Sequence, residues 1–521
     1  MRLNSERKIG TQKLHASFGK RASDADSGNG GMRRARLGRK SHEIDMINGG
    51  VLVPLILYSV PIVLTQVLQL LFNAADIVVV GQFVGDTAVA AVGSCAPLIN
   101  LIINLFIGIS LGATVVLAST LGAKKMEKVH DLTHTIFSLG VIFGIITGII
   151  GCVFARTFLE WMGTTADSID QATLYLRIYF IGAPAFMIYT FGRAIIVARG
   201  DTRRPLVYLT ISGVLNVVLN VILVAGFGMG VAGVAIATVA SQVLSAILMS
   251  NALFHLDGEC RIFLFELKIH KKPLIKVLKL GLPVGFQNTL FSFSNVIIQS
   301  SVNSLGTSCM AGNSACMNID SFIYAGMNSF TQGCMTFAGQ NYGAKRYDRL
   351  NAIYRSALLS ITFIGLSLGA LSYMLGTPLL KLYLPDSPEG VTFGLARMLC
   401  VVVPDFLCGL MDCGSGMLRG IKRSVFPMIA TVVGSCGLRL IWVFTAFNHF
   451  KTNAEPISAY KILLVSYPVS WALTFLVLFG YYWHIRKKLD RSAASAVSAP
   501  SAASASSAVS AEPVSASEPA N

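Results

Sequence analysis

Charge is scarce in this chain: Asp, Glu, Lys and Arg together make up 13% of 521 residues, against 53% hydrophobic residues and a mean hydropathy of +0.63. That balance excludes a soluble protein of this length and predicts a polytopic, all-helical membrane protein. The ten cysteines have no CxxC or other metal-ligand spacing, so no metal is expected and they read as small core residues. Intramembrane catalysis would need HExxH or a Ser–His pair at membrane depth. Neither is present, and His130, His134, His255, His270, His449 and His484 fall at links or helix ends. Neither enzyme activity nor a cofactor is expected. His130 and His134 stand four apart in a basic segment without an acid ligand in place, and read as a solvated face.

No cleavable signal is evident. Residues 1–45 are polar and Gly/Ser-rich with eleven Lys or Arg and no apolar core, and read as a disordered basic cytoplasmic arm. Residues 489–521 form an Ala/Ser-rich tail broken by prolines, expected to be disordered.

Apolar runs of about 20 residues or more occur near 51–80, 88–118, 132–155, 173–198, 205–226, 230–254, 274–300, 310–338, 353–375, 391–416, 425–447 and 459–484. The expected count is twelve. Lys and Arg crowd alternate links, at Lys124, Lys125 and Lys128, at Arg199, Arg203 and Arg204, from Arg261 to Lys279, from Lys345 to Arg355, and at Arg419, Lys422 and Arg423. The intervening links carry almost none. By the positive-inside rule both termini are cytoplasmic, in a plasma (inner) membrane. The net charge of +16 is then a topology signal with anionic lipid as its partner, and implies no nucleic acid.

The halves repeat at an offset of 220 to 222 residues: Pro61 with Pro283, Gly85 with Gly306, Gly122-Ala123-Lys124-Lys125 with Gly343-Ala344-Lys345-Arg346, Pro184 with Pro404, Arg199-Gly200 with Arg419-Gly420. Six spans per half, an even number, predict two six-helix lobes related by a pseudo-two-fold along the membrane normal, with a cavity between them. The lobes are expected at 46–255 and 281–488, joined by a cytoplasmic link at 256–280.

Polar residues mark one face of several spans. Gln66, Gln69, Asn73 and Asp76 share a face of the first helix, where a carboxylate should look inward because exposure to lipid costs several kcal/mol. Ser212, Asn216 and Asn220 recur at steps of four in the fifth helix. The same reasoning marks Asn104 in the second helix, Gln287, Asn288 and Asn295 in the seventh, Asp320 and Tyr324 in the eighth, and Asp405 and Asp412 in the tenth as cavity candidates. Arg397 and Arg439 are the nearest basic partners for the last two, and an Asp–Arg pair there would hold the C-terminal lobe together.

The pattern resembles the multidrug and toxic compound extrusion (MATE) family. The resemblance rests on FNAADIVVVGQFVG in the first helix, GAKK and GAKR after the second and eighth, ARGDTRRP and LRGIKRSVFP after the fourth and tenth, and NVVLNVILVAGFGMGVAGVAIAT across the fifth and sixth, covering residues 50–485 in order. It implies a monomeric secondary antiporter exporting small cationic, amphipathic compounds in exchange for protons or sodium. It also implies ion coupling at Asp76, which matches the family's first-helix acid, and at Asn216 and Asn220, which match a polar pair of the fifth helix. Archaeal DinF-like members have Asp at the second of the pair. The NorM-like branch has an acid in the seventh helix, where Gln287, Asn288 and Phe291 are all neutral, and its tenth-helix acid lies in a different register from Asp405 and Asp412. Proton coupling through Asp76 is therefore expected. The alternative is a flippase for a lipid-linked precursor, which calls for a cationic cavity. Arg193, Arg397 and Arg439 facing the cleft would favour it.

Overall fold

The computed structural model describes residues 43–498 apart from 165 and 454. The expected arm up to residue 42 and the tail beyond 498 lie outside the described residues. The described residues form twelve membrane-length helical segments. These are α1 (Leu52–Phe83), α2 (Asp86–Gly122), α3 (Met126–Trp161), α4 (Ala166–Ile181 and Ala183–Ala198), α5 (Arg203–Gly226), α6 (Gly230–Phe254), α7 (Lys271–Asn303), α8 (Thr307–Gly343), α9 (Leu350–Met374), α10 (Pro388–Gly420), α11 (Val425–Asn453) and α12 (Pro456–Ser498). Short 3₁₀ or π-type turns interrupt α5, α10 and α11. The two pieces of α4 meet at Gly182 with a bend of 47°.

Nine of these helices are long and apolar enough to cross a bilayer on their own, or ten with the bent pair. The two left over are α7 and α8, repeat mates of α1 and α2. At 33 and 37 residues both have ample length for about 30 Å of hydrocarbon at 1.5 Å per residue. Their deficit is in apolarity, because their inward faces carry amides, hydroxyls and an acid.

Three boundaries differ from the sequence reading. Helix α7 begins at Lys271, so the link between the lobes is shorter than 256–280 and its last part is helical. Helix α12 continues through the start of the Ala/Ser stretch to Ser498, since alanine is a strong helix former and the first proline comes two residues later. The last residues of the expected arm are docked: Ile44 N–H donates to the Gly200 carbonyl at 3.3 Å, and Glu43 pairs with Arg199.

The link also overturns the reading of the two histidines. His134 is fully buried. Its Nε2 accepts the Phe263 N–H at 3.1 Å, and its Nδ1 lies 2.9 Å from the His130 carbonyl. His130 faces Glu266 at 3.2 Å, and Thr135 Oγ1 accepts the His270 N–H at 3.1 Å. The ligating atoms of His130, His134 and Glu266 lie within 4.8 Å of one another, yet both ring nitrogens of His134 are already engaged. The group fastens the link to α3.

Repeat symmetry governs how the lobes meet. Helix α1 packs on α8 as its mate α7 packs on α2, and α2 packs on α8 near the pseudo-axis. Gly108 and Gly112 of α2 face Gly285 and Gly281 of α7 so closely that a Cβ on Gly112 would stand 2.5 Å from the Gly281 Cα. This small-xxx-small seam lets two backbones touch where larger side chains would hold them apart. Gly122 and Gly343 make equally close approaches to Gln340 and Ser119. All of these contacts lie in the helix halves that run into the Lys/Arg-rich links, so the lobes close at that end. Lys422, outside the spans, reports the convergence: burial first, then nearby Lys276 and Lys125, lower its ammonium below the ordinary lysine value.

Candidate functional site

A cavity of about 750 Å³ lies between the lobes above this seam. Gln66, Gln69 and Asn73 reach it from α1, Asn104 from α2, and Gln287, Asn288 and Asn295 from α7. Asp320 and Tyr324 reach it from α8, and Asp405 and Asp412 from α10. Asn100, one turn from Asn104, is exposed and outside the lining. Gln66 Nε2 donates to Ser329 Oγ at 3.1 Å, a direct bond between the lobes.

A second cavity, of about 120 Å³, opens inside the N-terminal lobe and shares Gln69, Asn73 and Arg193 with the first. Asp76 and Asn216 line it, with Ser212, Ser241, Gln242 and Ser245. Asp76 is half-buried on α1. Asn216 and Asn220 project from one face of α5, and Asn220, fully buried, sits where the regular helix gives way to a π-type turn at Val221–Gly226. The Asn220 Nδ2 donates to Asp76 Oδ1 and reaches Asn216 Oδ1 at 3.4 Å, while Asn220 Oδ1 has no hydrogen-bond partner among the described residues. The α6 residues Ser241, Gln242 and Ser245 escaped the sequence reading, although Ser241 and Ser245 stand four apart and Ser245 Oγ donates to Ser212 Oγ at 2.6 Å.

In the C-terminal lobe the expected ion pair has different partners. Arg397 Nη2 lies 3.9 Å from Asp320 Oδ2, and its Nη1 donates at 3.0 Å to Asn313 Oδ1, which also accepts from Tyr460 at 3.0 Å. Arg439 Nε donates to Ser470 Oγ at 2.9 Å, with its guanidinium 4.2 Å from the Tyr467 ring and 5.2 Å from that of Trp471. Asp412 accepts the Tyr324 hydroxyl at 2.9 Å. Asp405 is buried, and its Oδ2 has no hydrogen-bond partner among the described residues.

The cavity wall is not acidic. Arg193, Arg397, Arg419 and Arg439 line it beside Asp320, Asp405 and Asp412, a formal excess of one positive charge. Arg419 reads from sequence as a link charge, but it closes the last turn of α10 and donates from Nη2 to Gln287 Oε1 at 2.8 Å. Position alone could not reveal this, because a helix-end arginine can turn inward as readily as outward.

The MatE family profile matches residues 61–222 and 283–445, one copy in each lobe. The "Probable multidrug resistance protein YoeA" of Bacillus subtilis is 28% identical over 443 residues, covering 83% of this chain and 93% of that protein. "Probable multidrug resistance protein YpnP" of the same organism is 27% identical over 393 residues, covering 75% and 86%. A solved outward-facing conformation of a multidrug resistance MATE family transporter of the MOP superfamily superposes with a TM-score of 0.79 at 21% identity, covering 86% of this chain and 98% of that one. Two matched repeats, a twelve-helix membrane fold and a polar cavity between the lobes thus agree, and the chain belongs to the MATE family of membrane transporters.

Proposed function

We propose that this chain exports small amphipathic organic compounds in exchange for protons, or for sodium, with Asp76 as the coupling group. The observation that carries the reading is the Asp76–Asn220–Asn216 cluster beside a cavity that shares α1 residues with the larger one. An ionised Asp76 is a pure acceptor and takes the Asn220 amide N–H. A protonated Asp76 keeps an acceptor oxygen and gains an O–H donor, for which Asn220 Oδ1, unpaired among the described residues, is a neighbouring acceptor. Taking that bond rotates the Asn220 amide and weakens its long reach to Asn216. The change is felt along α1, whose Gln69 and Asn73 face both cavities. Cargo and proton exclude one another through the shape of that wall. A coupling of about 1.4 kcal/mol changes affinity tenfold.

The Lys/Arg-rich links face the cytoplasm in this reading, with both termini inside and the monomer as the working unit in the inner membrane. The closed seam then lies on the cytoplasmic side. Cargo export is to be measured in everted vesicles under an imposed pH gradient, with and without sodium. Loss of export in Asp76→Asn, with insertion and melting unchanged, supports the proposal. Full activity of that variant sinks it, and export that needs sodium but ignores pH changes the ion without changing the site.

A second reading has an observation of its own. Arg193, Arg397 and Arg439 all line the cavity, as the flippase of a lipid-linked precursor would require. The expectation of purely cationic cargo loses support on the same ground, because the wall carries both signs.

A further inference from the structure

We infer that the closed end of the central cavity is a binding site for an acidic group on the cargo, a carboxylate, phosphate or sulfonate, held by Arg193 of the N-terminal lobe and Arg419 of the C-terminal lobe. The inference rests on the transport reading above and names the cargo's chemistry.

Of the four arginines on the wall, two are already neutralised or caged. Arg397 has Asp320 at 3.9 Å, and Arg439 is stacked among aromatic rings with 1% of its surface exposed. Arg193 and Arg419 differ from both. Arg193 Nη2 reaches Gln332 Oε1 at 3.4 Å, and Arg419 Nη2 reaches Gln287 Oε1 at 2.8 Å. Each partner is a neutral amide oxygen, and neither arginine has a carboxylate in ion-pair range among the described residues. A guanidinium carries five N–H donors in a fixed fork, so one amide leaves most of its capacity unused. The Arg419 Nε is buried without any partner among the described residues. The Asp412 carboxylate, which accepts the Tyr324 hydroxyl, acts on Arg419 from beyond ion-pair range, and a guanidinium with no direct ion-pair partner in a partly desolvated cavity is costly. The group that offsets this best is a planar or tetrahedral oxyanion, which the fork meets through two parallel hydrogen bonds.

Position supports the assignment. Arg193 lies in the last two turns of α4 and Arg419 in the last turn of α10, both at the basic end where the lobes close. An anion there would bind against both lobes at the bottom of the cavity, leaving the apolar remainder of the molecule among Phe186, Phe291 and Met335 of the same wall. The acidic group could belong to a soluble compound or to a lipid phosphate, and the recognition chemistry is the same.

The test uses the full chain in nanodiscs and two dyes built on one xanthene ring, carboxyfluorescein as anion and tetramethylrhodamine methyl ester as cation, with binding followed by fluorescence anisotropy. Carboxyfluorescein is expected to bind at least about tenfold more tightly, the equivalent of 1.4 kcal/mol. Arg193→Gln and Arg419→Gln should each weaken it about tenfold and leave the cation unchanged, while Arg193→Lys and Arg419→Lys retain part of the affinity. Displacement of the dye by polyprenyl phosphate in the disc identifies a lipid source, and displacement by a soluble phosphate monoester a soluble one. Either upholds the site. Equal or tighter binding of the cation overturns the proposal, as does anion binding indifferent to folded Gln variants. If the Gln variants do not fold, the wild-type dye ratio and the Lys variants decide. Equilibrium binding needs no ion gradient, so failure of coupling at Asp76 and failure of the anion site give different results.

Discussion

Asn220 donates its side-chain amide to Asp76 across 144 positions of sequence, joining α5 to α1 inside the N-terminal lobe. The carboxamide is wholly buried and the carboxylate half-buried. The bond thus stands at the border between the lobe's interior and its small polar cavity.

Asn220→Ala removes the donor and leaves the carboxylate in place. Gradient-driven export should fall about tenfold to a hundredfold, less than in Asp76→Asn, because the loss of one hydrogen bond to a charged group is worth about 1.5–3 kcal/mol. Initial export rates of the two variants in everted vesicles at matched expression check the order, and a larger loss in Asn220→Ala would reverse the assignment of roles.

The pair of buried Arg397 and half-buried Asp320 should be asymmetric under mutation. Asp320→Leu alone leaves a buried guanidinium unpaired and should cost about 3–5 kcal/mol, whereas the double variant Arg397→Met, Asp320→Leu should recover most of that. Thermal melting in detergent reads both. Additive losses would show that the two side chains are not coupled.

At the seam, Gly112→Val should destabilise the protein by about 1–3 kcal/mol through overpacking, since the Gly281 backbone has no room to yield. Gly480→Ala is the control. Nothing lies within 4 Å of its added methyl, and its melting point should hold or rise slightly.

Three lysines occupy left-handed backbone: Lys124 (φ 52°), Lys345 (φ 59°) and Lys422 (φ 64°). Each stands just past a helix end. The next N–H returns to the carbonyl five residues back: Lys125 to Thr120 at 3.3 Å, Arg346 to Asn341 at 2.9 Å, Arg423 to Leu418 at 2.8 Å. Such a cap favours glycine. Lys345→Gly should therefore gain up to about 1 kcal/mol and Lys345→Val lose about as much, measured as opposite shifts in melting temperature.

Topology is open to single-cysteine labelling in a cysteine-free background. Lys272→Cys should resist an impermeant maleimide in sealed cells, and Asp386→Cys should react, if the Lys/Arg-rich links follow the positive-inside rule as proposed above. Labelling at position 272 would invert the orientation.

Much of this architecture was legible in the sequence for a physical reason. In a bilayer each span must satisfy its own backbone, so twelve apolar runs map onto twelve helices, and the repeat from Pro61 and Pro283 onward gives the pairing of the lobes. Stripes on one helix were equally readable, and Asn216 and Asn220 do lie beside Asp76. Relations between helices were less accessible. Arg397 pairs with Asp320 of α8 instead of an acid on its own α10, and Arg419 turns into the cavity, because both outcomes depend on how α8 and α10 are rotated about their axes. His134 looked solvated for the same reason: the link that buries it has no periodicity of its own.

The glycine seam between α2 and α7 has a mechanical meaning. It lies off-centre on two long helices, and at 1.5 Å per residue the Gly85 end of α2 stands roughly 40 Å from Gly112, so a tilt of about 10° about the seam would sweep that end through about 7 Å. Adjustments of less than an ångström among touching backbones would thereby be geared into a displacement the size of a small organic molecule. The gearing ratio is set by where the glycines stand along the rods, so moving the pair one turn outward would shorten the stroke without altering any residue that touches cargo.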